Sequence, residues 1–287
     1  MRFLMKSLSI LSVVFAISVY IAGCSSAEQT TAKLAFQSGD YAKAETEFLK
    51  ETQQNPANEE AWFYLGLSRV KLNKVDGAKE AFAQYKKIGK NTFSSELLSA
   101  WGSVYDDGYK AFTVAEGLKD KDVPNALRNY QTALTDFQMA YAMLPESTVV
   151  AKNIAVVNDR VNTFTIKPYI DKGVEYEKSG NYDAAIEEYK KAQAMVNKGN
   201  SNYEVVIYDL GVAYLKQGEM MRTANQDDPA YKDKYQAALP YLEELSGSKD
   251  KANQLLAYEL LVQVYGNLGM NDKAMDAIKK RDELKKQ

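Results

Sequence analysis

The sequence predicts an all-α fold, a solenoid of about six stacked helical hairpins, two with elongated arms, plus one extra helix. Three observations carry this. A phrase recurs: SGDYAKAETEFLKE at 38–51 returns as SGNYDAAIEEYKKA at 179–192, and NKVDGAKEAFAQY at 73–85 is a third copy without the Gly or the Tyr. The copies keep a period, since Ala44 to Ala78, Phe48 to Phe82 and Gly39 to Asn73 are each 34 residues apart. Within each copy the apolar residues fall three and four apart, which gathers them on one face of a helix.

The individual positions explain how such hairpins close. From Trp62 the chain reads WFYLGLSRVKLNKVDGAKEAFAQY, which puts Trp62, Leu65 and Gly66 on one helix and Ala78, Phe82 and Tyr85 on the next. From Tyr169, YIDKGVEYEKSGNYDAAIEEYKKA repeats the frame with Gly173, Tyr176, Gly180, Tyr182, Ala185, Tyr189 and Ala192. Tyr258, Leu261, Tyr265, Gly269, Ala274 and Ile278 fall at the same offsets near the end. This period and these residues resemble the tetratricopeptide repeat, a helix-turn-helix unit. The resemblance covers about 25–287. It implies a right-handed superhelix that binds other proteins, with the first helix of each pair lining a groove.

The physics of the frame is packing. Gly66, Gly173, Ala78 and Ala185 let paired helices approach, and the aromatics fill the space around them. Gly39, Gly180 and Gly269 stand where a first helix must end in a left-handed turn. Asp76, Asp183 and Asp272 stand near the start of a second helix, where negative charge suits the dipole. Pro56 and Pro145 stop their helices. No hairpin buries its apolar face alone, and stacking does so. Trp62, Tyr176, Tyr182, Tyr189, Tyr214 and Tyr265 are accordingly expected in the core, while the register of Trp101 stays open between Gly102 and Gly108.

The small residue of each second helix gives a tally: Ala44, Ala78, Ala133, Ala185, Ala238 and Ala274, separated by 34, 55, 52, 53 and 36 residues. Three gaps therefore exceed the period by 18 to 21 residues, the length of an added helix or of extended helix ends. The excess falls at 116–130, at 148–164 and at 219–235. The expected organisation is a signal segment at 1–23, a tether at 24–30, three repeats over 25–147, a linking helix at 148–165 and three repeats over 166–287. The first repeat is degenerate in its first helix.

The amino terminus reads MRFLMKSLSILSVVFAISVYIAGC. Arg2 and Lys6 precede an apolar run too short for a comfortable membrane span, which needs ~20 residues. The run ends in Ile21, Ala22, Gly23 and Cys24, which resembles the bacterial lipoprotein lipobox. That resemblance implies cleavage before Cys24, lipid on its thiol and a membrane anchor, since two or more acyl chains hold firmly. Ser25, rather than Asp, follows the Cys, and the sorting rule then favours the outer membrane of a diderm bacterium with the body in the periplasm.

Composition excludes much chemistry. The 287 residues carry 36 basic and 38 acidic side chains, no His, and Cys24 as the single Cys. No His-based triad, His-ligated zinc or Cys cluster can form, and no disulfide framework exists. No cofactor, metal or nucleic-acid partner is expected, and the chain is not expected to be an enzyme.

The candidate binding surface is the outward side of the first helices. It reads Phe63, Leu67, Val70 and Lys71, then Ile170, Val174, Glu177 and Lys178, then Val205, Tyr208, Val212, Leu215 and Lys216. These positions are apolar with a charged end. They form either a groove for a segment of an envelope protein or a face buried against the added helices or a neighbouring superhelical turn. Some tetratricopeptide domains clamp a terminal carboxylate with a Lys and an Asn four apart, and none of the matching pairs here fits. The expected role is a lipid-anchored scaffold for envelope proteins. The alternatives are a ligand-binding or cell-wall-enzyme regulatory module and, further off, an enzyme working by carboxylates alone.

Overall fold

A computed structural model describes residues 26–286. The lipobox residues Ile21, Ala22 and Gly23, and Cys24, lie outside the described residues, as does the whole signal segment. Among the described residues the chain is helical, and its helices pair in order as hairpins. They are α1 (Ala27–Gln37) with α2 (Tyr41–Gln54), α3 (Glu59–Lys71) with α4 (Val75–Ile88), and α5 (Ser94–Leu118) with α6 (Val123–Met143). Then come α7 (Thr148–Lys178) with α8 (Tyr182–Gln193), α9 (Tyr203–Ala224) with α10 (Tyr231–Leu245), and α11 (Lys251–Asn267) with α12 (Asn271–Lys286). None of the described helices is long and apolar enough to cross a membrane.

The expected excess residues lengthen helices. α5 has 25 residues, α6 has 21 and α9 has 22. The separate linking helix expected at 148–165 does not form. The chain runs from Thr148 to Lys178 as one helix of 31 residues, straight through Pro168. The residues counted as an extra helix are thus the amino-terminal part of the first helix of the fourth hairpin. The tether expected at 24–30 is helical from Ala27 onward. Ser26 caps that helix by accepting a hydrogen bond from the Gln29 amide at 2.9 Å, and Gln29 and Ala32 are buried.

The turn between the two helices of a pair recurs nearly unchanged. Gly39, Gly180 and Gly269 take φ of 81°, 75° and 73°, and Asn73 takes the same left-handed conformation at 55°. In each case the following amide reaches back to close the helix end, as a left-handed C-cap requires. Asp40 N donates to Ala35 O at 2.9 Å, Lys74 N to Arg69 O at 2.9 Å, Asn181 N to Tyr176 O at 2.9 Å and Met270 N to Tyr265 O at 2.8 Å. Asp40 and Asn181 then cap the next helix with their side chains, which Lys74 cannot do.

The chain divides into two compact units. Among the described residues the first comprises 26–114 and Gln131–Ala155, and the second Ala115–Tyr130 and 156–286. In the first unit, Ala32, Ala44, Phe48, Ala61, Leu65 and Ala81 form one core cluster. A second gathers Phe63, Ala78, Phe82, Tyr85, Met139 and Met143. In the second unit, Ile166, Ala185, Tyr189, Val206 and Leu210 pack together, and Tyr235, Leu242, Leu261, Val264 and Tyr265 form the next cluster. The small first-helix residues are needed where they stand. A Cβ on Gly66 would lie 2.8 Å from the Phe82 ring, and one on Gly173 would lie 2.2 Å from the Tyr189 ring.

The aromatic positions divide three ways. Tyr189 and Tyr265 are buried. Trp62, Tyr182 and Tyr214 are half-buried; the Trp62 indole donates to Pro56 O at 2.9 Å, and Tyr214 stacks on Tyr241. Tyr176, expected in the core, is exposed.

Candidate functional site

Among the described residues, all but two of the exposed large apolar side chains, Met195 and Met275, lie on the first helix of a hairpin. The first-helix face is therefore where apolar surface is left over, although the residues that form it differ from those the sequence pointed to.

In α3 the expected groove positions are mostly core. Phe63 is 1 % exposed and stacks on Phe93 at 4.8 Å, with Tyr85 tilted against it at 5.6 Å. Val70 is buried in the same cluster and Leu67 packs half-buried against it. Only Lys71 faces solvent. The covering group is Phe93, in the short link after α4, which folds back over the helix.

The second unit keeps part of the face open. On α7, Ile170 is half-buried against the Ile166–Tyr189 cluster, while Val174 is 37 % exposed. On α9, Val205 is 50 % exposed and Tyr208 is half-buried beside Ile207 and Leu245. Val212 and Leu215, expected in the groove, are buried. α9 is flanked by α8, α10 and α11, and Leu215 joins the Tyr235–Leu261 cluster.

A polar strip crosses this surface. Glu177 accepts from the Tyr189 hydroxyl at 3.1 Å and from Lys216 at 3.0 Å, which ties the two helices of one hairpin to the first helix of the next. The second unit repeats the device. Glu116 accepts from the Tyr130 hydroxyl at 2.8 Å and from Arg160 at 3.1 Å. Burial would raise the Glu116 carboxyl, but hydrogen bonds from Lys119 and Tyr130, with the Arg160 charge, hold it below the usual range. Burial, and then the charges of Glu177 and Asp209, push the Tyr189 hydroxyl up, so it stays a neutral donor.

Asp209 is the site residue that sequence reasoning missed. It is half-buried on α9 beside Glu177. Burial first, and the Glu177 charge second, push its carboxyl up to about 7, with Lys216 opposing. The signal was a lone acid within VVIYDLGVAYL, one residue off the periodic face. Together, Val174, Val205 and Tyr208 offer apolar contact, and Glu177, Asp209 and Lys216 offer charge of both signs.

Comparison with known proteins bears on the repeats. A tetratricopeptide-repeat family model matches residues 30–91, and another matches residues 166–195. A search of curated proteins finds no match. Among solved structures, the chain is similar to the C-terminal part of a TPR repeat-containing protein from Cytophaga hutchinsonii. The identity is 17%, over 88% of this chain and 93% of that one, with a TM-score of 0.31. It is also similar to a TPR repeats protein from Bacteroides fragilis, at 16% identity over 90% and 96% of the two chains and a TM-score of 0.25. A third is the MamA protein, at 17% identity over 78% and 94% with a TM-score of 0.21. At such TM-scores these likenesses carry no argument. The recurring turns, the glycine–aromatic contacts and the two matched segments carry the conclusion that the chain holds tetratricopeptide repeats at 30–91 and 166–195 within an all-helical series of hairpins.

Proposed function

We propose that this protein is a non-enzymatic scaffold of a diderm bacterial envelope. Lipid on Cys24 anchors it to the outer membrane, and its helical body stands in the periplasm. There it binds an extended or helical segment of an envelope protein along the first-helix face of α7 and α9. The observation that carries this reading is the open apolar surface at Val174 and Val205, on two successive first helices. Tetratricopeptide repeats serve broadly as protein-binding modules, which agrees with it. The lipobox, and Ser25 after it, support the location.

Crosslinking and affinity purification of the lipidated protein from membranes test the reading, beside a Cys24→Ala form and a Val174→Glu/Val205→Glu form. One defined protein partner is expected with the native chain and is expected to be lost from the double variant while its fold is kept. The Cys24→Ala form is expected to leave the membrane fraction. A partner retained in full by the double variant removes the binding face from the account. A Cys24→Ala protein that stays membrane-bound removes the anchor.

A further inference from the structure

The amino-terminal end of the first unit is fastened where the sequence predicts a free tether. Ser26 caps α1 and also donates through its hydroxyl to Glu51, near the end of α2. Glu51 is 3 % exposed and accepts a second bond from Asn58 Nδ2 at 2.7 Å. Asn58 caps α3 and donates as well to Gln29 Oε1 at 3.1 Å, and the Gln29 side-chain amide in turn donates to Glu60. One polar network therefore joins the start of α1, the end of α2 and the start of α3. With its groups satisfied, such a network holds a single arrangement.

The link between α2 and α3 lies at the same end and is equally fixed. Asn55 N donates to Glu51 O at 2.8 Å, Asn58 N to Asn55 O at 3.0 Å, and the Trp62 indole to Pro56 O. Gln53, Gln54, Asn55, Pro56 and Ala57 are all exposed, and none of them is charged. The acids that flank them in sequence are engaged within the protein. Glu51 belongs to the network, Glu59 is buried and accepts from the Thr92 amide at 3.3 Å, and Glu60 pairs with Lys33 at 2.7 Å. An anionic headgroup layer repels exposed acids, and the stretch 53–57 offers none.

We propose that this end of the first unit, the start of α1 with the stretch 53–57, rests directly on the membrane surface. The proposal depends on the reading that Cys24 carries the lipid. Cys24 is two residues from Ser26, and two residues of chain span at most about 7 Å. A free tether over 24–30 would instead reach about 20 Å. That is as far as α2 is long, since its 14 residues rise about 21 Å. The network thus leaves the anchored residue too little chain for this end to depart from the headgroups. The other end of the same hairpin, at Gly39, stands about 20 Å away along the helices.

Nitroxide quenching tests this on the full lipidated chain. With Cys24 acylated, a fluorophore goes on one introduced thiol, Gln54→Cys at the membrane end or Gln37→Cys at the other. Both side chains are exposed, so the fold should stand, as circular dichroism will verify. The proteins are placed in vesicles of phosphatidylethanolamine and phosphatidylglycerol that carry a nitroxide on the headgroup. The fluorophore at 54 is expected to be quenched and the one at 37 to keep its emission. About eight Gly and Ser residues inserted between Ser25 and Ser26 add about 16 Å of reach and should relieve most of the quenching at 54. Flotation of the vesicles reads the anchor separately. Protein that fails to float removes the lipid at Cys24, and the proposal with it. Floating protein with no quenching at 54, with equal quenching at 37, or with quenching at 54 that survives the insertion overturns the proposal and leaves the anchor standing.

Discussion

The second and fourth hairpins are the same phrase written twice, and they use it differently. Gly66 pairs off with Gly173, Asn73 with Gly180, Ala78 with Ala185 and Phe82 with Tyr189, all at one constant offset. Between the helices the two hairpins agree: a glycine under an aromatic ring, a left-handed turn, and an amide that closes the helix end. On the outward side they part. Phe63 lies under Phe93, while its counterpart Ile170 is only half-buried. Leu67 packs on the core, while Val174 is exposed. Arg69 is buried and donates to Gly77 O at 2.8 Å, while Tyr176 stands in solvent. The repeat fixes how a hairpin closes on itself. What the first helix turns outward depends on what the next segment brings over it.

The comparison breaks most visibly at its largest contrast. Phe63→Ala empties a filled core and should cost about 3–5 kcal/mol, whereas Ile170→Ala, at the matching position, should cost about 2 kcal/mol or less. Chemical denaturation of the two variants checks this, and equal losses would mean that both faces are core. Next come the glycines. Gly173→Ala and Gly66→Ala each overpack a closed contact, at about 1–3 kcal/mol. Gly173 should be the costlier, because its Cβ meets the ring at 2.2 Å against 2.8 Å.

The third contrast is electrostatic. Asp209 is pushed up to about 7 by burial and by Glu177, and Asp136 in the first unit up to about 6 by burial and by Asp107. The folded chain holds these protons more tightly than the unfolded chain, where an Asp titrates near 3.9. Unfolding free energy should therefore fall as pH rises from about 4 to 7. Glu177, Lys216 and Tyr189 surround Asp209, and of these only Lys216 opposes its rise. Asp209→Asn should flatten the fall by about 1–2 kcal/mol, read from denaturation midpoints at several pH values. The smallest effect is in the turns: Gly180→Ala should cost about 1 kcal/mol at a φ of 75°, while Asn73→Gly should change stability by about 0.5 kcal/mol or less, because Asn already tolerates that conformation.

Much of this was legible in the sequence because packing between paired helices is local. A glycine, a turn and an aromatic within about 30 residues meet whatever lies beyond them. That is why the sequence marks Gly66 and Gly173 as points of close helix approach with aromatics around them, and Phe82 and Tyr189 are the rings that meet them. The outward face was legible only in part. Phe63 and Val70 read as groove, since nothing in α3 announces that Phe93 returns over them. Val212 and Leu215 read as groove, since a single repeat does not show that α9 has neighbours on several sides. Asp209 carries no periodic signal because it sits off the periodic face. The sequence does not show that 148–178 is one helix, because an excess over the period looks the same whether it forms a new helix or lengthens an old one.

The measurement closest to the central claim sets Leu67→Glu beside Val174→Glu, the same position in the two hairpins. Denaturation and partner capture are read on both. The account predicts that Leu67→Glu loses about 2–3 kcal/mol of stability. It predicts that Val174→Glu stays within about 0.5 kcal/mol and still loses the partner. A Val174→Glu protein as destabilised as Leu67→Glu, or one that keeps its partner in full, would contradict it.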